Sequence, residues 1–399
     1  MLNIVVMGEF DSGKSTLIGR LLYDSGSLSD QAKEELLNIS GVFGKSVEFV
    51  FLLDSFEEER RQALTLDMTQ AVLKMGTDQF LLTDVPGHRQ LISHMLTGTC
   101  GAEVAILVVD VRRSMESQTK RHLYLAKFLG IPEVLLVVNK MDLVGYRESD
   151  FLKVQQDAFD FLVKIGFSAQ GIVPVSAKDG ENLLRKSLKL SWYRGPFLAQ
   201  ALCRLTRKTP SYDFRFPVQD VYETKNERIA VGTVASGRIQ RGDVVTATLT
   251  GSRFTIKDIK VFGCQKKMAT AQESIGLILE PTPDEATRGT LLFKGKPPKE
   301  ITGLRSKIFC LEGLMPGEDL WLQCAIQEKP CRISNITKAM DSETLETIAD
   351  PTSLRALDAA EVVIETQGRI MAERFQDVPS LGRFVLKKNG AICAIGIVD

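Results

Sequence analysis

The residues best equipped for chemistry in this chain stand in one uninterrupted run, Gly8-Glu9-Phe10-Asp11-Ser12-Gly13-Lys14-Ser15, which matches G-x-x-x-x-G-K-[ST] without a mismatch. Each position has a use if a polyphosphate sits there. Gly8 and Gly13 let the main chain curl, so that backbone N–H groups of the loop, those of Asp11 and Ser12 among them, close around phosphate oxygens. Lys14 reaches the terminal phosphates, and Ser15 offers a hydroxyl to Mg²⁺. Thr16 follows in the first helical turn, where the helix N-terminus adds positive potential. The apolar run 2–7 ahead of the loop reads as a buried strand, and 16–22 behind it reads as a helix. Strand, glycine-bounded loop and helix in that order predict a phosphate-binding loop.

Three later motifs complete a nucleotide site. Asp84-Val85-Pro86-Gly87 closes a predicted strand, the edge at which ligands gather in open α/β sheets. The Asp84 carboxylate can hold Mg²⁺ through water, and the Gly87 N–H can sense a third phosphate. Asn139-Lys140-Met141-Asp142 closes another strand. There the Asp142 carboxylate can accept from the N1 and N2 groups of guanine, a pair that adenine does not offer, while the Lys140 stem covers the base. Ser176-Ala177-Lys178 closes the last strand and places a backbone N–H near guanine O6. Taken singly, Asp84 reads equally well as a turn residue, Asn139 as a cap and Lys178 as a solvated charge. In this order, each at the C-terminal end of a strand, they predict a site for GTP or GDP with Mg²⁺.

The elements that must position these groups alternate along residues 1–207. Strands are expected near 64–75, 79–84, 104–111, 134–138 and 172–175, with helices near 29–39, 118–129 and 150–165 and a helix C-cap at Gly26. The runs at 104–111 and 134–138 are continuously apolar, the signature of parallel strands buried on both faces. The fold class that follows is α/β, a doubly wound and mostly parallel sheet. From Thr209-Pro210 the helical period fades, and short alternating segments are punctuated by Gly-Asp, Pro-Gly and Asn-Gly turns. That spacing predicts a β-barrel over 208–295 and, past the Lys294-Gly295-Lys296-Pro297-Pro298-Lys299 stretch, a second over 300–399.

Composition bounds the rest. A chain of 399 residues exceeds one ordinary core. Its 50 basic and 50 acidic residues cancel, which argues against a broadly basic face and so against DNA as a partner. The seven cysteines include no C-x-x-C pair, so neither a disulfide scaffold nor a zinc site is expected. No apolar run approaches the roughly 20 residues that span a bilayer. The sequence enters a strand at once, as in a chain without a signal peptide, and a cytoplasmic location with reduced thiols is the expectation.

Together the motifs resemble those of the translation-factor class of GTPases, the elongation factors Tu and 1A among them. In that class D-x-P-G-H follows the phosphate loop and N-K-x-D follows that. The resemblance covers essentially the whole chain and implies a GTPase domain with two β-barrel domains behind it. It also implies roles. His88, next to Gly87, would orient the attacking water. Glu59-Arg60-Arg61-Gln62-Ala63-Leu64-Thr65-Leu66-Asp67 resembles E-R-x-x-G-I-T-I-D, which makes Thr65 the residue that senses Mg²⁺ and the γ-phosphate. Lys14, Thr65 and His88 are thus the implied catalytic groups, and Ser15, Thr65 and Asp84 the implied metal ligands. Ala63 and Leu64 replace the glycine and isoleucine of that pattern, and Phe10 stands where a smaller valine is usual in the apolar pair screening the histidine. The Glu57–Arg61 charges read as a solvated helix face with no arginine finger, so hydrolysis is expected to be slow and partner-dependent. His94 and His122 carry no motif and read as ordinary helix residues.

Within the class, Ser15-Thr16-Leu17-Ile18-Gly19-Arg20-Leu21-Leu22-Tyr23-Asp24-Ser25 is similar to the GTPase subunit of bacterial sulfate adenylyltransferase, as are Phe214-Arg215-Phe216-Pro217-Val218-Gln219 and Leu314-Met315-Pro316-Gly317. That likeness implies a catalytic subunit of the ATP-sulfurylase type as partner, or a paralogue serving another. The phosphate loop departs from that subunit's usual G-S-V-D-D-G-K-S. Two alternatives stand beside it: a carrier of aminoacyl-tRNA to the ribosome, and a slowly hydrolysing GTP-dependent scaffold, the latter motivated by Ala63 and Phe10. No strand resembling the H-T-A-H-I-A-C-K-F of tRNA carriers stands in the last domain.

Overall fold

The computed structural model describes residues 1–28, 34, 69–84, 102–205, 213–223, 227–248, 250–261, 264–282, 286–342, 344 and 346–399. They fall into two compact units, Met1–Arg207 and Lys208–Asp399.

In the first unit the chain runs β1 (Leu2–Gly8), α1 (Lys14–Asp24), β2 (Thr69–Met75), β3 (Asp78–Asp84), β4 (Val104–Asp110), α2 (Ser117–Phe128), β5 (Glu133–Asn139), α3 (Glu148–Ile165) and β6 (Ala169–Pro174). The six strands lie in the order β2-β3-β1-β4-β5-β6. Only β2 runs antiparallel to its neighbour, so the sheet is the mostly parallel one expected. β4 and β5 are buried at every position, which is why their sequences show no polar alternation. Side chains of α1 (Leu17, Ile18, Leu21, Leu22) share one core with Ile4, Leu82, Val108 and Val137. Their spacing puts two adjacent apolar columns on the sheet-facing side of the helix.

Helix α1 stops by the expected device, displaced by one residue. Ser25 is the C-cap and Gly26 the residue beyond it. The Gly26 N–H donates to the Tyr23 carbonyl and the Ser27 N–H to that of Leu22, the paired bonds of a Schellman motif. β6 covers 169–174, a few residues earlier than the expected 172–175, because its pairing with β5 starts at Ala169. The expected helix at 29–39 lies outside the described residues except for Glu34, and the start of the strand expected at 64–75 lies outside them too.

Parallel register aligns the strand ends that matter. Val6 stands opposite Asp84, Gly8 opposite Val108, and Asp110 opposite Asn139. The phosphate loop, Asp84, Asp110 and Asn139 therefore all leave the sheet at its C-terminal edge.

The second unit holds two rings of antiparallel strands. Strands Val244–Ala247, Leu291–Lys294, Phe214–Glu223, Arg228–Thr233, Ser274–Glu280 and Arg253–Val261 pair in that order, and Arg253–Val261 pairs back with Val244–Ala247 to close the ring. Strands Leu320–Cys324, Arg383–Lys388, Ala391–Val398, Lys299–Cys310, Asp358–Ala372 and Gln327–Asp341 close the second ring in the same way. Closure removes every long edge from each ring, and each encloses its own apolar core. The stretch at 294–299 connects them, with its two end lysines already in strands. Across the junction the Arg215 guanidinium donates twice to Glu373 Oε1, at 3.0 and 2.8 Å, beside an apolar cluster of Leu291, Met371, Val378 and Leu381. Cys310, Cys324, Cys331 and Cys393 lie buried as free thiols in the last ring. Burial pushes Cys324 and Cys331 up to about 12, which keeps them protonated and inert. Among the described residues no helix is long and apolar enough to cross a membrane.

Candidate functional site

The loop after β1 is shaped by contacts that other residue types could not make. A Cβ on Gly8 would stand 2.4 Å from the Val108 carbonyl, and one on Gly13 would stand 2.4 Å from Asn139 Nδ2. Asp11 and Gly13 take left-handed backbone conformations at φ 61° and 90°. The turn is held by the Ser12 N–H donating to the Glu9 carbonyl at 3.2 Å. Helix α1 then begins with no side-chain cap and no acidic residue in its first turn. Its leading N–H groups and positive end thus face the loop with no acidic residue of the helix's own first turn competing with an anion.

Lys14 lies inside this loop, its ammonium donating to the carbonyls of Gly8 at 3.0 Å and Glu9 at 2.8 Å. Burial lowers its pKa, while the carboxylates of Asp84 and Glu9 pull it back up. Burial is the larger effect, and the two carbonyl contacts hold the amine at the loop, where a polyphosphate needs positive charge. At the loop's far side Ser15 Oγ donates to Asp84 Oδ2 at 3.2 Å. A hydroxyl and a carboxylate converging this way are hard oxygen donors, the type that suits Mg²⁺. Among the described residues no group of three or more His, Cys, Asp or Glu side chains is spaced to hold a metal. Few protein ligands fit Mg²⁺, which keeps waters and substrate phosphate oxygens around it.

The loops after β5 and β6 are joined to the phosphate loop through Asn139. Asn139 is 2% exposed, and its amide is committed at both ends. Nδ2 donates to the Ser12 carbonyl and Oδ1 accepts from the Ala177 N–H, each at 3.0 Å. One side chain at the end of β5 thus ties together two other loops, the one holding Ser12 and the one holding Ala177. Asp142 Oδ1 accepts from Ser176 Oγ at 2.7 Å, which orients a carboxylate able to take two N–H donors in a row. Arg20 of α1 donates to the Lys178 carbonyl at 2.9 Å and so pins the Ser176–Lys178 segment, whose Lys178 side chain points to solvent.

Lys140 is in the left-handed region at φ 65°, and its stem returns toward the phosphate loop. Its Cε would be 4.0 Å from a Cβ placed on Gly13. Its ammonium donates to the Asp11 carbonyl and lies 3.3 Å from Asp11 Oδ2 and 3.1 Å from Asp110 Oδ2. Asp110 and Arg112 were not singled out by motif. The one signal in the sequence was position: Asp110 ends a strand, as Asp84 and Asn139 do. The remaining expected site residues, Thr65, Gly87 and His88, lie outside the described residues, as do Ala63 and Leu64. Phe10 is described, with its side chain turned outward and 94% exposed. Thr16 sits half-buried in the first turn of α1. His122 is buried on α2, as an ordinary helix residue would be.

With this geometry in place, comparison with known proteins is decisive. Residues 1–220 match the family model of the elongation factor Tu GTP binding domain. The chain belongs to the elongation factor Tu family of GTPases. Residues 305–399 match a second model, the GTP-eEF1A C-terminal domain-like family. Elongation factor 1-alpha of Pyrococcus furiosus is 30% identical over 414 residues, covering 99% of this chain and 96% of that protein. The same factor of Archaeoglobus fulgidus is 31% identical over 411 residues, covering 100% and 97%. A solved structure of Sup35 complexed with GDP aligns over all of this chain and 93% of its own at 22% identity, with a TM-score of 0.46. Membership of the elongation factor Tu family carries guanine-nucleotide binding, typically with Mg²⁺, and GTP hydrolysis.

Proposed function

We propose that this GTPase is a nucleotide-driven switch whose site is built from Gly8, Asp11, Ser12, Gly13, Lys14, Ser15, Thr16, Asp84, Gly87, Asn139, Lys140, Asp142, Ser176, Ala177 and Lys178. The observation that carries the reading is the Asn139 tie, in which one buried amide holds the phosphate loop to the base loop. In this reading residues 1–207 bind and hydrolyse GTP, and the barrels at 208–295 and 300–399 receive the signal. Lys14 and the α1 N-terminus bind the β- and γ-phosphates, and Asp142 selects guanine. Ser15, Thr65 and Asp84 would hold Mg²⁺, which would supply charge neutralisation at the phosphates. His88 orients the attacking water, and the loss of the γ-phosphate contacts releases the segments around Thr65 and Gly87.

The output is regulation of a separate catalytic subunit that activates sulfate by making adenylylsulfate from ATP. Support comes from the likeness of 15–25, 214–219 and 314–317 to the GTPase subunit of that system. A second reading, delivery of aminoacyl-tRNA to the ribosome, has its own support in whole-length similarity to elongation factor 1-alpha. A slow GTP-dependent scaffold is the third. Tagged full-length chain purified from its native host with a GTP analogue separates them. An ATP-sulfurylase-type subunit in the eluate supports the first reading, and aminoacyl-tRNA the second. Single-turnover GTP hydrolysis that no host extract accelerates supports the third.

A further inference from the structure

One ion cluster at the C-terminal edge of the sheet goes unused in the reading above. Asp110 ends β4 with its carboxylate 3% exposed. Arg112 holds it from one side: its Nε donates to Oδ1 at 3.1 Å, its Nη2 to Oδ2 at 2.8 Å, and its backbone N–H to Oδ1 at 3.0 Å. Lys140 meets it from the other side, at 3.1 Å from Oδ2. The same ammonium is bonded to the Asp11 carbonyl of the phosphate loop and stands 3.3 Å from the Asp11 carboxylate. Burial raises the Asp110 carboxyl, but Arg112 and Lys140 together outweigh it and bring it to about 2. The group is thus a fixed anion across the physiological range.

A lysine stem is flexible and strongly entropic, so laying it along one path requires its head to be anchored. Here the anchors are unequal. Asp11 is largely exposed, its side chain at 64%, and its pull is screened by water. Asp110 is buried, is held in place by a guanidinium that grips both its oxygens, and belongs to a strand that the sheet holds rigid.

We infer that Asp110, itself oriented by Arg112, is a positioning residue of the nucleotide site: it fixes the Lys140 side chain against the phosphate loop and thereby sets how long a guanine nucleotide stays bound. The inference rests on the guanine reading of Lys140 and Asp142. Because the aliphatic stem of Lys140 covers the base in that reading, loss of its buried anchor leaves only the contacts to Asp11, loosens the stem and opens the exit route of the base.

The test measures release of a fluorescent GDP analogue from the full-length chain with Mg²⁺, chased with unlabelled GDP. Asp110→Asn keeps the shape and removes the charge, and its release rate is expected to rise about tenfold, the scale of one charge-assisted hydrogen bond. Arg112→Gln keeps a hydrogen-bond donor for Asp110 and leaves its Lys140 and backbone contacts in place; it is expected to raise the rate about threefold, with circular dichroism showing that each variant is folded. The readout that a merely structural role would not move is the double-mutant cycle. If Asp110 acts through Lys140, Asp110→Asn adds nothing further in a Lys140→Met background. Unchanged release in both single variants, or a full tenfold effect of Asp110→Asn on top of Lys140→Met, overturns the inference while leaving the guanine site standing. Wild-type chain that binds no GDP analogue overturns the guanine reading and this inference with it.

Discussion

Replacing Asn139 by Asp probes the central tie with almost no change in shape. The acid keeps an oxygen where Oδ1 accepts from the Ala177 N–H, but at neutral pH it puts a second oxygen where Nδ2 now donates to the Ser12 carbonyl at 3.0 Å. Two effects follow. The Ser12 carbonyl loses its donor in a site where Asn139 and Ser12 are each 2% exposed, costing about 1–3 kcal/mol. A buried carboxylate facing that carbonyl adds desolvation and repulsion of similar size. The sum, about 3 kcal/mol, weakens GDP binding by about 100-fold, because the phosphate loop and the base loop no longer share a fixed geometry.

The sign of the pH dependence is opposite to that of a salt-bridged carboxylate. Burial beside a carbonyl raises the carboxyl of the variant above the ordinary aspartate value near ~3.9. The favourable protonated form is complete below that ordinary value and is lost as pH rises through the raised one. Protonated, the new acid can donate to the Ser12 carbonyl again. Affinity for a fluorescent GDP analogue, measured from about pH 8 down to about pH 5.5 and divided by the wild-type value at each pH, should therefore recover about fivefold on acidification. A variant that stays within roughly threefold of wild type at both ends, or whose deficit does not change with pH, refutes the claim that this amide holds the two loops together.

Three further outcomes are expected. Asp142→Asn exchanges an acceptor for a donor at the position proposed to read guanine, so preference should shift from guanosine toward xanthosine nucleotides in a competition assay; retained tight GTP selectivity contradicts the proposal. His88→Ala should lower single-turnover GTP hydrolysis by about 100-fold or more while GDP affinity stays near normal, and an unchanged rate removes His88 from the water-positioning role. Arg215→Ala leaves the Glu373 carboxylate, only 13% exposed, without the guanidinium that now meets it, and should cost about 2–4 kcal/mol in urea unfolding of the chain. A loss below about 0.5 kcal/mol would show that the two rings are joined by their apolar contact alone.

What the sequence determined by itself was whatever depends on chain-local chemistry. A phosphate loop is eight consecutive residues, so Gly8 to Ser15 can be read without knowing what lies nearby. Buried parallel strands announce themselves as unbroken apolar runs, and β4 and β5 did so. The tertiary structure alone decided the meetings between distant residues. Asn139 lies 127 positions from the Ser12 carbonyl that it grips, and no property of an Asn-Lys-Met-Asp string says that its amide is consumed at both ends. Asp110 looked like any polar residue at a strand end until parallel register set it opposite Asn139, within reach of Lys140. Closure of the two rings is likewise a property of pairing, since alternation along a strand is the same in an open sheet and in a barrel. Motif fixes which atoms can do chemistry; register and burial fix which of them are held still, and for a charge in a low-dielectric setting that second fact governs its strength.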